Sequence, residues 1–169
     1  MLIREETSDD REVIRAVNRL AFGGDTEGEL IDRLRADGDV LLSLVAQVDG
    51  EVVGHILFSK LKSETRGGTI KAAALAPMAV TPEFQGRGIG TSLVERGLAL
   101  CRERGYTAVV VLGHPDYYPR FGFSAQKGQA LDSPYSEAGE AYMALELVPG
   151  ALVGVSGSVR YPEAFAALG

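Results

Sequence analysis

Two hydrophobic periods alternate along this chain, and together they predict its elements. Ile3-Arg4-Glu5 predicts a short strand. Ser8, followed by Asp9, Asp10 and Glu12, suits a helix N-terminus, where negative charge meets the positive end of the dipole. Val13, Ile14, Val17, Leu20 and Ala21 then fall on one helical face, which Gly23-Gly24 ends. Thr26, with Glu29 three positions on, predicts a capping box for a second helix. Its inner stripe is Leu30, Ile31 and Leu34, and Gly38 stops it.

Leu41 to Val48 and Val52 to Leu61 are apolar strands joined by Asp49-Gly50, a two-residue hairpin turn. Lys62 to Gly68 reads as a polar loop. Ile70 to Val80 is a third apolar run with Pro77 inside it; proline cannot donate to a ladder, so an irregularity or splayed edge is expected there. Ile89, Leu93, Val94, Leu98 and Cys101 form the inner face of a third helix ended by Gly105. Ala108 to Gly113 is a continuous apolar strand of the kind found at a sheet centre. A short helical turn near Tyr117–Arg120, a strand from Ala141 to Val148 and a further strand from Ala151 to Val159 complete the pattern. The order βααβββαβ(α)ββ predicts an α/β (α+β) fold: a mixed sheet with helices on both faces, an antiparallel meander first and a parallel crossover after it.

Composition narrows the class. At 169 residues the chain predicts a single domain, residues 1–169, with 149–169 as a C-terminal extension. A hydrophobic share of 46% and a charged share of 24% are those of an ordinary globule. No apolar run reaches 18 residues, so no membrane span is expected, and the early charges of MLIREETSDDRE give no signal-peptide pattern. One cysteine, Cys101, forms no internal disulfide and fits a reducing cytoplasm. The net charge of −6 and a pI near 5.0 argue against nonspecific nucleic-acid binding.

The chemistry concentrates at Ala76–Thr91, APMAVTPEFQGRGIGT, where an apolar run meets a proline turn and Gln85-Gly86-Arg87-Gly88-Ile89-Gly90 opens into a helix. Three glycines around an arginine at a strand-to-helix junction bring backbone N–H groups close to a ligand, and an anion is the natural candidate. A tolerated flexible turn is one alternative. A dinucleotide fingerprint is another, but the spacing is G-x-G-x-G rather than G-x-G-x-x-G. Val110 also stands where an acidic ribose ligand is wanted. A P-loop is excluded, because no Gly-Lys-Ser/Thr follows. The third reading is a pyrophosphate cradle for a coenzyme A tail.

Gln85-x-x-Gly88-x-Gly90 resembles the (Arg/Gln)-x-x-Gly-x-(Gly/Ala) motif of the GNAT superfamily of acyl-CoA-dependent N-acyltransferases. About 30 residues downstream, Tyr117-Tyr118-Pro119-Arg120-Phe121-Gly122-Phe123 is similar to the family's Phe-Tyr-x-x-x-Gly-Phe segment. Leu112-Gly113-His114-Pro115, leading into it, resembles a bacterial branch, the YhbS-like group. The resemblance implies a mixed, mostly antiparallel central sheet flanked by helices, with a splay between its two central parallel strands. It implies acetyl-CoA or another short acyl-CoA as co-substrate and a small-molecule or protein amine as acceptor. It leaves a homodimer open.

Carried onto this chain, main-chain groups of Met78, Ala79 and Val80 pair with the pantetheine arm as an added strand would, and a backbone N–H there polarises the thioester carbonyl. The N–H groups of Gly86, Arg87, Gly88, Ile89, Gly90 and Thr91 face the pyrophosphate. Tyr118 matches the position whose hydroxyl protonates the departing thiolate; the plain alternative is an aromatic core of Tyr117, Tyr118, Phe121 and Phe123. A lysine-like amine is only about 10⁻³ to 10⁻⁴ neutral at pH 7, so a proton acceptor is needed. Family members often place a glutamate in the strand before the loop, yet Ala72 to Val80 holds no acid, and Glu83 lies in the turn. His114, at the carboxyl end of a parallel strand, and His55, mid-strand, are the candidates for base or relay. Cys101 reads as a core residue, and two histidines with one cysteine lack metal-ligand spacing, so no metal is expected. A coenzyme-binding module without turnover is the rival function, kept open by the missing strand glutamate.

Overall fold

The computed structural model describes residues 1–168, with side chains through Ala166. Gly169, the last residue of the predicted extension, lies outside the described residues. Two compact units form: Met1–Ser59, Pro77–Gly97 and residues 162–168 make the first, Lys60–Ala76 and Leu98–Tyr161 the second.

In the first unit β1 (Leu2–Glu5) pairs antiparallel with β2 (Val40–Val48), and β2 with β3 (Glu51–Lys60). The β2–β3 turn is the predicted Asp49-Gly50, both residues at positive φ (51° and 80°) as a two-residue hairpin requires. Helix α1 (Arg11–Phe22) buries Ile14 and Val17, and Gly23 at φ 82° ends it in the left-handed conformation. Leu20, predicted to be inside, is 61% exposed. The capping box predicted at Thr26 does not form. Helix α2 (Thr26–Ala36) starts one residue earlier than that motif needs, with Asp25 at the cap position and its carboxylate drawn away by Arg19 (Nε–Oδ1 2.7 Å).

Helix α3 (Ile89–Glu103) is seated on β3 by absent side chains. A Cβ on Gly97 would lie 2.3 Å from Phe58 Cε1, and one on Gly54 would meet Ile89 Cγ2 and Leu93 Cδ1, each at 3.1 Å. Ile89, Leu93 and Val94 are buried as predicted, whereas Leu98 is only half-buried.

The second unit holds the Ala72–Ala76 part of β5 (Ala72–Val80), β6 (Ala108–Leu112) and β8 (Tyr142–Glu146). β5 runs parallel to β6 over Ala72↔Ala108 to Leu75↔Val111, and β6 runs antiparallel to β8. The strand order of the main sheet is β1-β2-β3-β5-β6-β8: mostly antiparallel, with β5–β6 as its parallel pair and helices flanking it.

A second, three-stranded sheet was not foreseen. The predicted polar loop after Lys62 is β4 (Lys62–Arg66), paired antiparallel with β9 (Ser156–Arg160), which in turn runs parallel to β7 (Leu131–Asp132). Ser63 and Thr65, on the half-buried face of β4, satisfy their hydroxyls on the Ile70 and Gly68 carbonyls, so no apolar period marks the strand. The strand predicted over Ala151 to Val159 forms only from Ser156. Gly150 and Gly154, at φ 84° and 71°, turn the chain first, and the Glu146 carboxylate accepts the Leu152 N–H at 2.9 Å. Ile70, Leu131, Ala144, Leu152, Val155 and Val159 share one core, so residues of the extension are packed into this unit.

A polar triad sits in the core of the first unit. Asn18 Nδ2 lies 2.9 Å from the Ile14 carbonyl and 3.3 Å from His55 Nδ1. The amide donates to both, so Nδ1 is the acceptor and the ring proton sits on Nε2, which faces Ser43 Oγ at 2.9 Å. His55 is fully buried. Burial, with a smaller push from the Arg35 charge, lowers its pKa from 6.5 to about 3. The folded value lies below the unfolded one, so the stability tied to the neutral ring is complete above pH 6.5 and is lost as pH falls toward 3.

Two predictions follow from this packing. Between pH 6 and pH 4, urea unfolding of the native chain should lose up to about 1.4 kcal/mol per pH unit through His55, and His55→Gln should flatten that slope. An equal slope in both proteins would remove His55 as its origin. Gly54→Val pushes methyl groups into Ile89 and Leu93 and should cost about 1–3 kcal/mol. A variant as stable as the parent in the same titration would mean that α3 can move off β3 freely.

Candidate active site

The glycine-rich junction lies wholly in the first unit. At the end of β5, Ala79 and Val80 are buried and Met78 is half-buried. The chain leaves the strand with Thr81 N–H on the Val53 carbonyl (2.9 Å), which anchors the exit to β3. Proline then opens a 3-10 turn, Pro82–Phe84, closed by Phe84 N–H to Thr81 O at 2.9 Å. Glu83 is exposed in that turn.

Gln85 reaches back across it. Its Nε2 donates to the Val80 carbonyl at 2.9 Å, tying the first residue of the motif to the last residue of the strand. The sequence motif marks Gln85 but gives no hint of this clamp. Gly86 and Gly88 follow at φ 76° and 82°, and no heavy atom lies within 4 Å of a Cβ built on either. Backbone conformation therefore requires glycine at both positions, while the space beside them is open. The helical ladder begins with Ser92 N–H on Gly88 O at 3.0 Å. The N–H groups of Gly88, Ile89 and Gly90 precede that bond, at the positive end of the 15-residue helix α3. Residues Gln85 to Gly88 are exposed, Gly90 and Thr91 half-buried, and Ile89 is buried. Arg87 carries its guanidinium 4.9 Å from the Phe84 ring centroid, so its charge stays beside the loop. Exposed N–H donors, a helix N-terminus and an adjacent cation suit a phosphate-bearing ligand.

Tyr118 and His114 belong to the second unit. Tyr118 is 7% exposed and packs edge-on against Tyr117 (centroids 5.1 Å apart) and Phe123 (5.7 Å). Burial first, then the neighbouring Tyr117 phenol, pushes its hydroxyl up to about 12. It is thus a protonated donor at any working pH, and a weaker acid than the free phenol expected from sequence. The His114 carbonyl accepts the N–H groups of Tyr117 (3.1 Å) and Tyr118 (3.2 Å), while its side chain is exposed. Backbone hydrogen bonds thus bring these two candidates together. Arg120 stacks 4.3 Å from the Tyr117 ring and donates from Nε to the Tyr117 carbonyl at 2.8 Å, which stiffens the turn.

His55 has both ring nitrogens engaged inside the core, so it is a structural group. Cys101 is buried, and burial pushes its thiol up to about 12, which removes it as a nucleophile. β5 carries no carboxylate along its length. Among the described residues, no group of three or more His, Cys, Asp or Glu side chains is placed to hold a metal ion. No helix among them is long and apolar enough to cross a membrane.

Comparison with known proteins agrees with this architecture. Residues 2–125 match the acetyltransferase (GNAT) domain model. The chain is 39% identical over 166 residues to the uncharacterized N-acetyltransferase YhbS of Escherichia coli (strain K12), covering 98% of each chain. Among solved structures, YhbS from Escherichia coli in complex with CoA has a TM-score of 0.88 at 38% identity, covering 99% of this chain and 93% of that one. A GNAT family acetyltransferase from Brucella melitensis in complex with acetyl-CoA has a TM-score of 0.77 at 38% identity, with 97% of each chain covered. The chain belongs to the GNAT acetyltransferase family, in its YhbS-like branch.

Proposed function

We propose that residues 1–169 act as one N-acyltransferase domain, moving an acyl group, acetyl in the simplest case, from acyl-CoA to a primary amine by direct attack. The observation that carries this reading is the Gln85–Thr91 loop. Its two left-handed glycines and the N-terminus of α3 support a pyrophosphate site there, as the resemblance to the family motif implies. The relatives solved with CoA and acetyl-CoA support that ligand for this chain.

In this reading the N-H groups of Gly86, Arg87, Gly88, Ile89, Gly90 and Thr91 bind the pyrophosphate, and Arg87 adds charge from its perch on Phe84. Gln85 holds the loop to Val80. Main-chain groups of Met78, Ala79 and Val80 bind the pantetheine arm, with one N–H stabilising the oxyanion that forms as the amine attacks. The C–N bond forms as the C–S bond breaks. The sulfur leaves with the electron pair and takes the Tyr118 proton, and the ammonium proton of the product passes to solvent or through His114. Matching a phenol near 12 to a thiol near 8.5 makes full proton transfer uphill by roughly 5 kcal/mol, so Tyr118 acts chiefly as a hydrogen-bond donor until charge has built on sulfur.

The acceptor is a primary amine on a small molecule or a protein, and a reducing cytoplasm suits the single buried cysteine. A second reading, a binding module without turnover, draws on the carboxylate-free strand Ala72–Val80. Thiol release from acetyl-CoA across a panel of primary amines separates the two: turnover supports the transferase, and tight CoA binding without any turnover supports the module.

Two variants probe the assigned roles. Tyr118→Phe should lower kcat by about 100-fold or more while leaving the Kd for CoA near its parent value. An unchanged kcat would remove Tyr118 from the chemistry. Gly88→Val forces a β-branched residue into φ 82°, where it is strained by roughly 1–2 kcal/mol. CoA affinity measured by calorimetry should fall about tenfold or more. Binding at parental strength would show that the pyrophosphate lies elsewhere.

A further inference from the structure

We propose that Gly113 is a positioning residue for Tyr118: by carrying no side chain, it gives the phenol ring its seat and so fixes where the hydroxyl points. The inference rests on the transferase reading of Tyr118, and it assigns work to the Leu112-Gly113-His114-Pro115 segment that the coenzyme motifs leave unexplained.

The packing is close. A Cβ on Gly113 would lie 2.4 Å from Tyr118 Cε2 and 2.8 Å from Cδ2, well inside van der Waals contact. Neither partner is free to yield. Gly113 N–H donates to the Ala141 carbonyl at 2.9 Å, continuing the β6–β8 ladder one residue past Leu112↔Tyr142, so its backbone is pinned to the sheet. The Tyr118 backbone is held by its N–H on the His114 carbonyl, and its ring is bounded by Tyr117, Phe121 and Phe123 at centroid distances of 5.1, 6.3 and 5.7 Å. Four residues separate Gly113 from Tyr118 along the chain, and one tight turn folds the ring back onto the glycine. Gly113 does not have a positive φ, so its backbone would accept alanine. The conflict created by a methyl group is with the ring alone. Glycine at 113 is therefore explained by the side chain it admits, which distinguishes it from Gly86 and Gly88.

The consequence is specific. A methyl at 113 must tilt or displace a ring confined on its remaining sides, moving the hydroxyl by a large fraction of an ångström. Catalytic groups tolerate little misplacement, so the loss belongs in kcat and leaves coenzyme binding intact.

The test is a double-mutant cycle on the full chain, read by thiol release from acetyl-CoA with spermidine and lysine as acceptors and with water alone. Gly113→Ala should lower kcat about tenfold or more with KM for acetyl-CoA unchanged, and should add nothing in the Tyr118→Phe background. Equal losses in both backgrounds would overturn the proposal. An activity-independent readout runs beside it. In protein labelled with 3-fluorotyrosine, the ¹⁹F resonance that Tyr118→Phe deletes should shift in Gly113→Ala, because the ring changes its place among three aromatic neighbours. A resonance that stays put would also overturn the proposal. If the resonance moves while Tyr118→Phe retains full kcat, the seat stands and the acid role of Tyr118 falls. Circular dichroism checks the fold of each variant. Should Gly113→Ala fail to fold, Phe121→Leu, which opens the seat from another side, enters the same cycle with the same expected non-additivity.

Discussion

Close approach between α3 and β3 is the constraint on which the first unit depends. Gly54 on the strand and Gly97 on the helix each remove the one Cβ that would keep the two elements apart, and Phe58, Ile89 and Leu93 fill the space instead. The helix is thereby fixed within van der Waals contact of the sheet, and its N-terminus is fixed with it. Whatever the Gln85–Thr91 loop binds is consequently held by the packing of a core rather than by the loop itself. The loop adds two ties of its own: Thr81 N–H on Val53 and Gln85 Nε2 on Val80. Preorganised donors of this kind lose little entropy on meeting an anion, which suits the loop to the proposed pyrophosphate without a lysine.

Sequence and structure agree where a residue's type reports its own backbone. The Asp49-Gly50 hairpin, the Gly23 helix stop and the glycines of the strand-to-helix junction all carry conformational information that the side chain cannot hide. Agreement fails where the deciding partner is remote. β4 and β9 pair mainly through serine, threonine, glycine and charged residues, with Val159 their one apolar member, and the half-buried hydroxyls of β4 are satisfied by nearby carbonyls. Hydrophobic period, the signal that finds strands, is absent from such a pair. Thr26 and Glu29 have the spacing of a capping box, but Asp25 takes the cap position and Arg19 occupies its carboxylate. Gly113 is the same lesson at the candidate site. Its neighbours in sequence give no reason for a glycine, and the reason appears only once the Tyr118 ring has folded back upon it.

Burial sorts the titratable groups into roles more sharply than residue type does. Three that looked chemically versatile in the sequence are driven toward their uncharged forms by desolvation: His55 down to about 3, Tyr118 and Cys101 up to about 12. For Cys101 this ends any nucleophilic role, and for His55 the engaged ring nitrogens end any role as a base. For Tyr118 the same force has the opposite value. In the proposed transfer it keeps Tyr118 protonated as a hydrogen-bond donor to the leaving sulfur, while making full proton transfer uphill.

That asymmetry bears on the proton that the acceptor amine must lose. Within Ala72–Val80 there is no carboxylate, His55 is sealed in the core, and Glu83 faces water from its turn. A buried base dedicated to deprotonating a lysine-like ammonium would have to offset roughly 4–5 kcal/mol at neutral pH, and none of these groups is built to do it. Two routes fit the proposed reaction: an acceptor whose amine already has a low pKa, or proton release to solvent before attack, with exposed His114, whose carbonyl accepts the Tyr118 N–H, as a relay. Both make the observed rate follow the free-base fraction of the amine, rising about tenfold per pH unit below the acceptor's own pKa. Under the proposed reaction, coenzyme held on a rigid helix end with deprotonation left to the acceptor would select substrates by amine basicity as much as by contact. The formal net charge of −6 favours cationic, protonated amines nearby, which would work against such selection in the proposed reaction. In the proposed reaction free-base availability and electrostatic attraction would thus pull in opposite directions, and it would best serve acceptors that combine a modest drop in amine pKa with a positive charge elsewhere in the molecule.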